Sequence, residues 1–466
     1  DDLTARAAEF ADRVDLGSGA PFPDPAAIAS INAYLGAFPI AAALDAGADI
    51  VITGRCADSA LALGPCIHAF GWSASDLDLL AAGSLAGHLI ECGPQAAGGN
   101  FTDWEAAGDL SRIGYPVAEI APDGACQIFK PENTAGLVTP ATVAEQMVYE
   151  IGDPRAYLLP DVAADFSEVG LEQVAPDRVR VSGAKGRSPS GRLKISATYS
   201  AGWRAGQVFG FEGRAARAKA QAFADAAFAR TRAALGAAPD FAETSVQIHG
   251  GDGPSGECAL ALAARHEDPG PIGVFLRETI GLALATPPGL TLFGAAGRPR
   301  PSPGVRLFSF LVDAADVPVA VALDGAPAPY APPSPPAPEP LPGPHAAPEA
   351  PAAVGPACKV PLEALAWARS GDKGDAANIG VIARDPAFLP HIWAALTPET
   401  VAARFGTLAF GRVERFPMPG IHGLNLLLHA SLGGGGMASL RWDAQGKAYA
   451  QRLLGLEIEL PEGLLP

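Results

Sequence analysis

The sequence predicts an α/β protein with a layered main domain over residues 1–324, a Pro/Ala-rich linker over 325–356 and a small α+β domain over 357–466. Three observations carry this. The run Ala48-Asp-Ile-Val-Ile-Thr-Gly-Arg-Cys-Ala-Asp-Ser-Ala60 reads as a short buried strand that empties into a polar turn and then a helix. Helical spacing on both sides of it gives the α-β-α order of a layered domain. Gly325 to Pro356 is dominated by Pro and Ala, a composition that stays extended and packs weakly, so it separates two cores.

In chain order, residues 26–47 read as helical, because Ile28, Ile31, Ala33, Leu35, Ile40 and Leu44 recur near helical spacing around Gly36 and Pro39. Ile50 to Thr53 is the buried strand. Leu61 to Phe70 and Leu77 to Cys92 follow as helices, and residues 105–175 are mixed. Arg178 to Gly183 and Leu193 to Tyr199 alternate apolar and polar residues, and Gly-Arg-Ser-Pro-Ser-Gly between them has the turn chemistry of a β-hairpin. Ala215 to Leu235 is an Ala-rich helix, and Arg306 to Leu311 and Val317 to Leu323 are strands. Beyond the linker, strands at Leu362 to Ala368, Asn378 to Ala383 and Val413 to Phe416 alternate with helices near Leu389 to Phe405 and Ala444 to Leu454. That is one compact unit of ordinary domain size.

Composition narrows the function. With 466 residues, 48% of them hydrophobic and 18% charged, the chain can bury a sizeable core and is expected to divide into two or three domains. A formal charge of -17 argues against nucleic acid or an anionic membrane as partner, since both need a basic footprint. The six cysteines are scattered with no CxxC pair, as expected of reduced cytoplasmic thiols. No apolar run reaches the roughly 20 residues of a membrane span. The first residue is Asp1 rather than Met, as expected where a segment has been removed or precedes it.

Several residues have the chemistry of a site. Arg55 lies where a strand-end turn would receive an anionic group, with Asp58 and Ser59 beside it. An ion pair plus a helix cap uses the same residues. His88 and Glu91, three apart on a helix, project from one face as an acid/base pair would. A satisfied, partly buried histidine has the same pattern, and no third ligand at matching spacing points to a metal. Cys92 could be a nucleophile if a base lay nearby, although small buried cysteines are the rule. Gly98, Gly99 and Asn100 would let a ligand approach the backbone, or form a plain loop. Lys185, Arg187, Arg192 and Lys194 cluster as a hairpin tip that could hold the phosphates of coenzyme A. Arg369, Asp372, Lys373 and Asp375, with two glycines, make a polar turn suited to a carboxylate, a phosphate or docking. Gly251-Asp-Gly-Pro-Ser-Gly256 matches G-x-G-x-x-G before a helix-like Cys258 to Ala264, the pattern of a dinucleotide-dependent dehydrogenase.

The blocks Ile31-Asn-Ala-Tyr-Leu-Gly36, Gly54-Arg-Cys-Ala-Asp-Ser-Ala-Leu-Ala62, Ala86-Gly-His-Leu-Ile-Glu-Cys-Gly93 and Gly98-Gly-Asn100 resemble the acyclic terpene utilisation AtuA family. Ala368-Arg-Ser-Gly-Asp-Lys-Gly-Asp375 with Asn378-Ile-Gly380 resembles the ferredoxin-like domain that the family often carries at its C-terminus. The resemblance covers nearly the whole chain. It implies bacterial catabolism of acyclic terpenoids and related branched acyl compounds, adds Asn32 to the substrate-binding candidates, and makes the main domain N-terminally incomplete. The expectation is therefore a cytoplasmic protein acting on a branched acyl-CoA or the corresponding acid as a hydratase or lyase. Arg55 holds an anionic group, Asp58 or Glu91 is the general base and His88 the acid partner. Ser59, Gly99, Asn100, Lys194, Arg369, Asp372, Lys373 and Asp375 complete the binding set. Coenzyme A would enter as part of the substrate. A homo-oligomer and a catabolic partner protein are the expected assemblies, and a non-catalytic subunit of an acyl-CoA complex is the competing reading.

Overall fold

The computed structural model describes residues 2–251, 253, 256–292, 299–349, 356–408 and 411–465. Its spine is the strand Arg192–Phe211. One edge of this strand pairs with Ile28–Ala33 and then with Cys258–His266, which in turn pairs with Glu243–Gly250. The other edge takes Ser302–Asp313 and Leu290–Thr291. All of these pairings are antiparallel, and the alternation along the spine serves two cores. Leu193, Ile195 and Ala197 bury against Phe308 and Phe310. Ala205, Phe209 and Phe211 bury under the helices Ala216–Leu235 and Pro269–Gly281.

A third core is built mainly from helices: α1 (Phe38–Asp45), α2 (Ala60–Phe70), α3 (Leu77–Ile90) and α4 (Pro140–Met147). It is backed by the sheet of Val117–Ile120, Cys126–Phe129, Arg178–Ser182 and Gly170–Ala175. The fourth core is C-terminal. There Ala366–Lys373, Ala376–Ala383, Gly423–Leu428 and Val413–Met418 form an antiparallel sheet in that order. The helices Leu389–Ala395, Pro398–Phe405 and Tyr449–Leu454 contribute Ile392, Val401, Phe405 and Leu453 to it. The other face of this sheet meets the helical core, where Ile382, Met418 and Ile421 are buried with Val148 and Val169. Gly380 makes that approach possible, since a Cβ there would fall 2.1 Å from Val148 Cγ2.

The mixed α and β architecture agrees with the sequence reading, but several elements differ. Residues 26–47 divide into the strand Ile28–Ala33, where Ile31 and Ala33 bury with period two, and α1, which has Pro39 in its first turn. Ile50 to Thr53 is not a strand: Ile50 is 82% and Ile52 92% exposed, and the chain is caught only beyond them by the parallel bridge Leu35–Cys56. A short apolar run does not reveal by periodicity what covers it. The proposed hairpin does not form, because Arg178–Ser182 and Arg192–Phe211 belong to different sheets and Lys185–Arg187 pairs with Ala163–Asp165. Cys258 to Ala264 is strand rather than helix. Leu362 to Ala368 begins as a short 3-10 turn, so the strand starts at Ala366. The helix near Leu389 to Phe405 breaks at Leu396, and Thr397 caps its second half through the Thr400 amide. Within the Pro/Ala-rich stretch, Ala326–Ala328 pairs with Val321–Leu323, Pro342 O accepts from Arg155, and His345 contacts Ser167.

Candidate functional site

The turn before α2 is fastened to the end of the strand Ile28–Ala33. Leu35 N donates to Arg55 O and Ala57 N donates to Leu35 O. This seats the Arg55 guanidinium 4.9 Å from the centre of the Tyr34 ring, and Lys194 Nζ lies 5.3 Å from the same ring. Both contacts are cation–π in kind, so Tyr34 gathers two cations in one place. Asn32 pairs directly with Ser196, on the face opposite buried Ile31 and Ile195, so Asn32, Tyr34 and Lys194 line one surface. Asp58 lies 4.0 Å from Arg55 and keeps 69% of its side chain exposed. Crowding by protein is nonetheless the largest cause raising its pKa, followed by the charge of Glu91, with Arg55 opposing. Open surface and surrounding protein mass coexist where a side chain stands in a recess.

The helix α3 delivers the next group. Gly87 lets it pass close to the start of α2, since a Cβ there would lie 2.7 Å from Ser59 Cα. His88 is 1% exposed, with Nε2 3.1 Å from Met147 O and Nδ1 3.1 Å from Glu91 Oε1. A carbonyl only accepts, so His88 donates to Met147 O through Nε2 and meets the Glu91 carboxyl through Nδ1. The second carboxyl oxygen of Glu91 is buried and has no hydrogen-bond partner among the described residues. It is therefore Glu91, oriented by His88, that offers a lone pair.

The loop after α4 comes from the same core but is positioned by the C-terminal sheet. Asn378 Oδ1 accepts from Glu150 N at 2.9 Å, while its amide donates to Val148 O and to Asn425 Oδ1. Asn425 in turn donates to Ile151 O and Gly152 O. Both asparagines are fully buried, and Glu150 takes a left-handed backbone, φ +56°. Lys447 Nζ donates to Glu150 Oε1 at 2.6 Å, to Asp372 Oδ1 at 2.9 Å and to the Tyr149 hydroxyl. Burial works against its charge, but these three bonds outweigh it and hold its pKa above the usual lysine range.

From the strand Ala366–Lys373, Arg369 stacks 4.8 Å from the Tyr149 ring centre and bonds Gln95. Burial lowers its pKa, with the surrounding anionic groups opposing. Lys373 Nζ stands 5.2 Å from the Tyr157 ring centre. Burial followed by the charge of Lys194 lowers its pKa, against Glu150, Glu91 and Asp372. Behind Arg369, Glu145 is 3% exposed and accepts from Thr102 N at 3.1 Å; burial pushes its pKa up to about 7.

The recess thus unites Arg55, Asp58, Glu91, Lys194, Arg369, Asp372 and Lys373, with His88 behind Glu91 and Asn32 on the Tyr34 face. Other residues singled out in the sequence lie elsewhere. Ser59 is buried against Gly87. Gly99 closes the turn after Gly93–Ala97 through its amide to Pro94 O, and Asn100 leaves that turn with φ +56°. Asp375 is occupied by the Leu432 and Gly434 amides. The basic cluster disperses, since Lys185 pairs with Asp78, Arg187 with Asp165 and Arg192 with Asp313. Cys92 is half-buried and its pKa is raised, chiefly by burial, the opposite of an activated thiol. Of the fingerprint Gly251 to Gly256, Asp252, Pro254 and Ser255 lie outside the described residues, and antiparallel strands flank it. No strand-turn-helix cradle for a pyrophosphate is built from those strands. Sequence reasoning passed over Tyr149, Glu150, Tyr157 and Lys447, which have no motif of their own.

Beside the recess runs a cleft of about 450 Å³ lined by Leu35, Ile40, Ile50, Ile52, Val319 and Leu323 among others. Its wall includes Gly54 and Cys56, the residues either side of Arg55. The cleft is not the chemical centre: Asp49 and Asp324 are its carboxylates, and it has no His, Lys or Arg. Among the described residues no group of three or more His, Cys, Asp or Glu is arranged to hold a metal ion. No described helix is long and apolar enough to cross a membrane.

Fold and site together define an α/β protein in which a C-terminal antiparallel sheet closes an ionisable recess on a helical core. The chain belongs to the acyclic terpene utilisation family AtuA, whose match covers residues 1–323, and the AtuA ferredoxin-like domain matches residues 360–459. Comparison with curated proteins and with solved structures gave no match.

Proposed function

We propose that this protein is a cytoplasmic catabolic hydratase or lyase acting on a branched acyl-CoA thioester or the corresponding acid. Its domain plan would be 1–324, 325–356 and 357–466. One observation carries the reading: Glu91, a carboxylate with one oxygen unpartnered among the described residues and oriented by a buried histidine, stands with Asp58 and two cations gathered on Tyr34. Proton removal next to a thioester carbonyl needs a base within hydrogen-bond reach and a positive group for the charge that develops on oxygen. Glu91 supplies the first, and Arg55 with Lys194 the second. Asp58, whose pKa is raised, is suited to return a proton to a departing hydroxyl or carbon. The cleft that borders Arg55 has a mixed lining, and its aliphatic part, Leu35, Ile40, Ile50 and Ile52 among others, suits a hydrocarbon chain. Coenzyme A enters here as part of the substrate, and a homo-oligomer or a catabolic partner protein is compatible with this scheme.

The test is mass spectrometry of the protein with a panel of branched and unsaturated acyl-CoA thioesters. A mass change of one water, or release of an acyl fragment, identifies the activity and names its substrate class. Arg55→Ala should lower affinity for that substrate and Glu91→Gln its turnover. Unchanged kinetics in both would remove the scheme, and an unaltered panel would turn the reading towards a non-catalytic subunit.

A further inference from the structure

We propose that the recess holds a second carboxylate of its substrate, carried on the acyl chain away from the reacting carbonyl, between Lys194 and Lys373 and against the Ser196 hydroxyl. The inference rests on the acyl reading of the recess and narrows its substrate class to acyl compounds with a free carboxylate on the chain.

The ionisable groups of the recess pair off and leave two cations over. Lys447 takes Glu150 and Asp372, His88 takes Glu91, and Arg55 lies 4.0 Å from Asp58. Among the described residues Lys194 and Lys373 make no salt bridge, and each ammonium lies by an aromatic ring, Tyr34 for the first and Tyr157 for the second. A ring face keeps an ammonium in place without neutralising it. The two lysines come from different cores, on the strands Arg192–Phe211 and Ala366–Lys373, and stand close enough for the charge of one to bear on the other. Both side chains keep exposed surface. In a chain with 50 acidic and 33 basic residues, two lysines left together without a counter-ion make a local positive field for an anion from outside.

The strand that carries Lys194 adds a neutral donor. Side chains two apart on a strand share a face, so Ser196 follows Lys194 on the surface that bears Asn32 and Tyr34, with Asn32 beside it on one neighbouring strand and Ser309 on the other. The Ser196 hydroxyl is buried and has no hydrogen-bond partner among the described residues. An unpaired buried hydroxyl is costly, and a carboxylate satisfies it with a charge-assisted bond, the stronger kind. Asp2, bridged to Asn32 from the other edge of its strand, turns its carboxylate to the Thr4 amide and hydroxyl instead. An ammonium has three hydrogens, so Lys194 serves both this anion and the carbonyl oxygen met by Arg55. A carboxylate suits the place better than a coenzyme A phosphate. The site lies among the reacting groups, whereas the phosphates are a pantetheine arm away from the thioester, and a dianion would meet stronger repulsion from Glu91 and Asp58.

The test is titration calorimetry of the full chain with glutaryl-CoA, with pentanoyl-CoA, which has the same acyl length and no second carboxylate, and with free coenzyme A. Glutaryl-CoA should bind about tenfold more tightly than pentanoyl-CoA, the effect of one charge-assisted hydrogen bond. Ser196→Ala and Lys373→Met should each cut that ratio severalfold. Residues that merely supported the fold would weaken both ligands alike, so a ratio unmoved by either variant overturns the proposal. Equal affinities for the two thioesters in the unmodified chain overturn it too and leave the acyl-CoA reading standing. Binding of free coenzyme A that the same variants weaken to the same degree assigns the lysines to phosphate and also overturns it. Where no thioester binds, glutarate and pentanoate take their place. A preference for glutarate that Ser196→Ala abolishes then supports the carboxylate site and ends the thioester reading, and no preference overturns the proposal.

Discussion

Glu145→Gln should stabilise the junction between helical core and C-terminal sheet at alkaline pH and leave it unchanged in acid. Glu145 is nearly inaccessible, and burial lifts its pKa from 4.5 to about 7, against the opposing effects of Thr102 and Arg369. A carboxyl whose folded value lies above its unfolded value binds its proton more tightly when folded, so stability is lost as pH rises through that interval. Below 4.5 both states are protonated and the group contributes nothing. Above about 7 the folded protein bears the whole penalty, about 3 kcal/mol at 1.4 kcal/mol for each pH unit of separation. Glutamine keeps an oxygen to accept from Thr102 N and cannot ionise, so it removes the penalty. Hydrogen exchange at the Thr102 and Ala368 amides reports opening of this junction directly, because Glu145 and Thr102 Oγ1 accept their hydrogens. The variant should raise the opening free energy of these amides by about 3 kcal/mol at mildly alkaline pH and by close to nothing near the unfolded pKa. An equal effect at both pH values refutes the reasoning. So does destabilisation at alkaline pH, which would mean that an ionised Glu145 is held by Arg369.

Asn378→Ala strips partners from Glu150 N and Val148 O and should cost about 2–4 kcal/mol, with loss of whatever turnover the recess supports; denaturant midpoints and kinetics check both. Gly380→Ala places a methyl against Val148, at 2.1 Å before relaxation, and should loosen the two cores from one another. Faster proteolysis between residues 329 and 349 is the expected sign, and an unchanged rate would mean that Val148 has room to yield. Burial pushes the Cys66 and Cys126 thiols up to about 11 and 12, so iodoacetamide should leave them untouched in the native protein and label them in urea.

The residues that sequence reasoning found are those whose local pattern fixes their place. The helices from Ala60 and Leu77 are long apolar runs bounded by polar turns, and the spacing of His88 and Glu91 brings the two side chains together. Which of the two points inward is not local: α4 packs against α3 and its Met147 carbonyl claims the histidine. Arg55 was visible because a polar turn follows an apolar run, even though Ile50 and Ile52 turned out to face the solvent and the cleft rather than a sheet. Tyr149, Glu150 and Lys447 were invisible for a physical reason. Glu150 and Lys447 are 297 residues apart in sequence and meet only because two cores dock. The basic run Lys185 to Lys194 misled because charge clustering in sequence is undone when the chain changes sheets between its members.

The grip of Asn378 and Asn425 on residues 148–152 has a consequence for how variants of this chain can be combined. A chimaera joined within the Pro/Ala-rich stretch would inherit the C-terminal core of one parent intact, and its helical core would be completed by that same parent's Ile382, Met418 and Ile421. Its chemistry would still depend on whether the two asparagines of one parent match the five-residue loop of the other. Compatibility between such halves is thus decided at a patch remote from the joint, and a graft that carries residues 148–152 along with the C-terminal portion is the smallest exchange that moves the clamp as a unit.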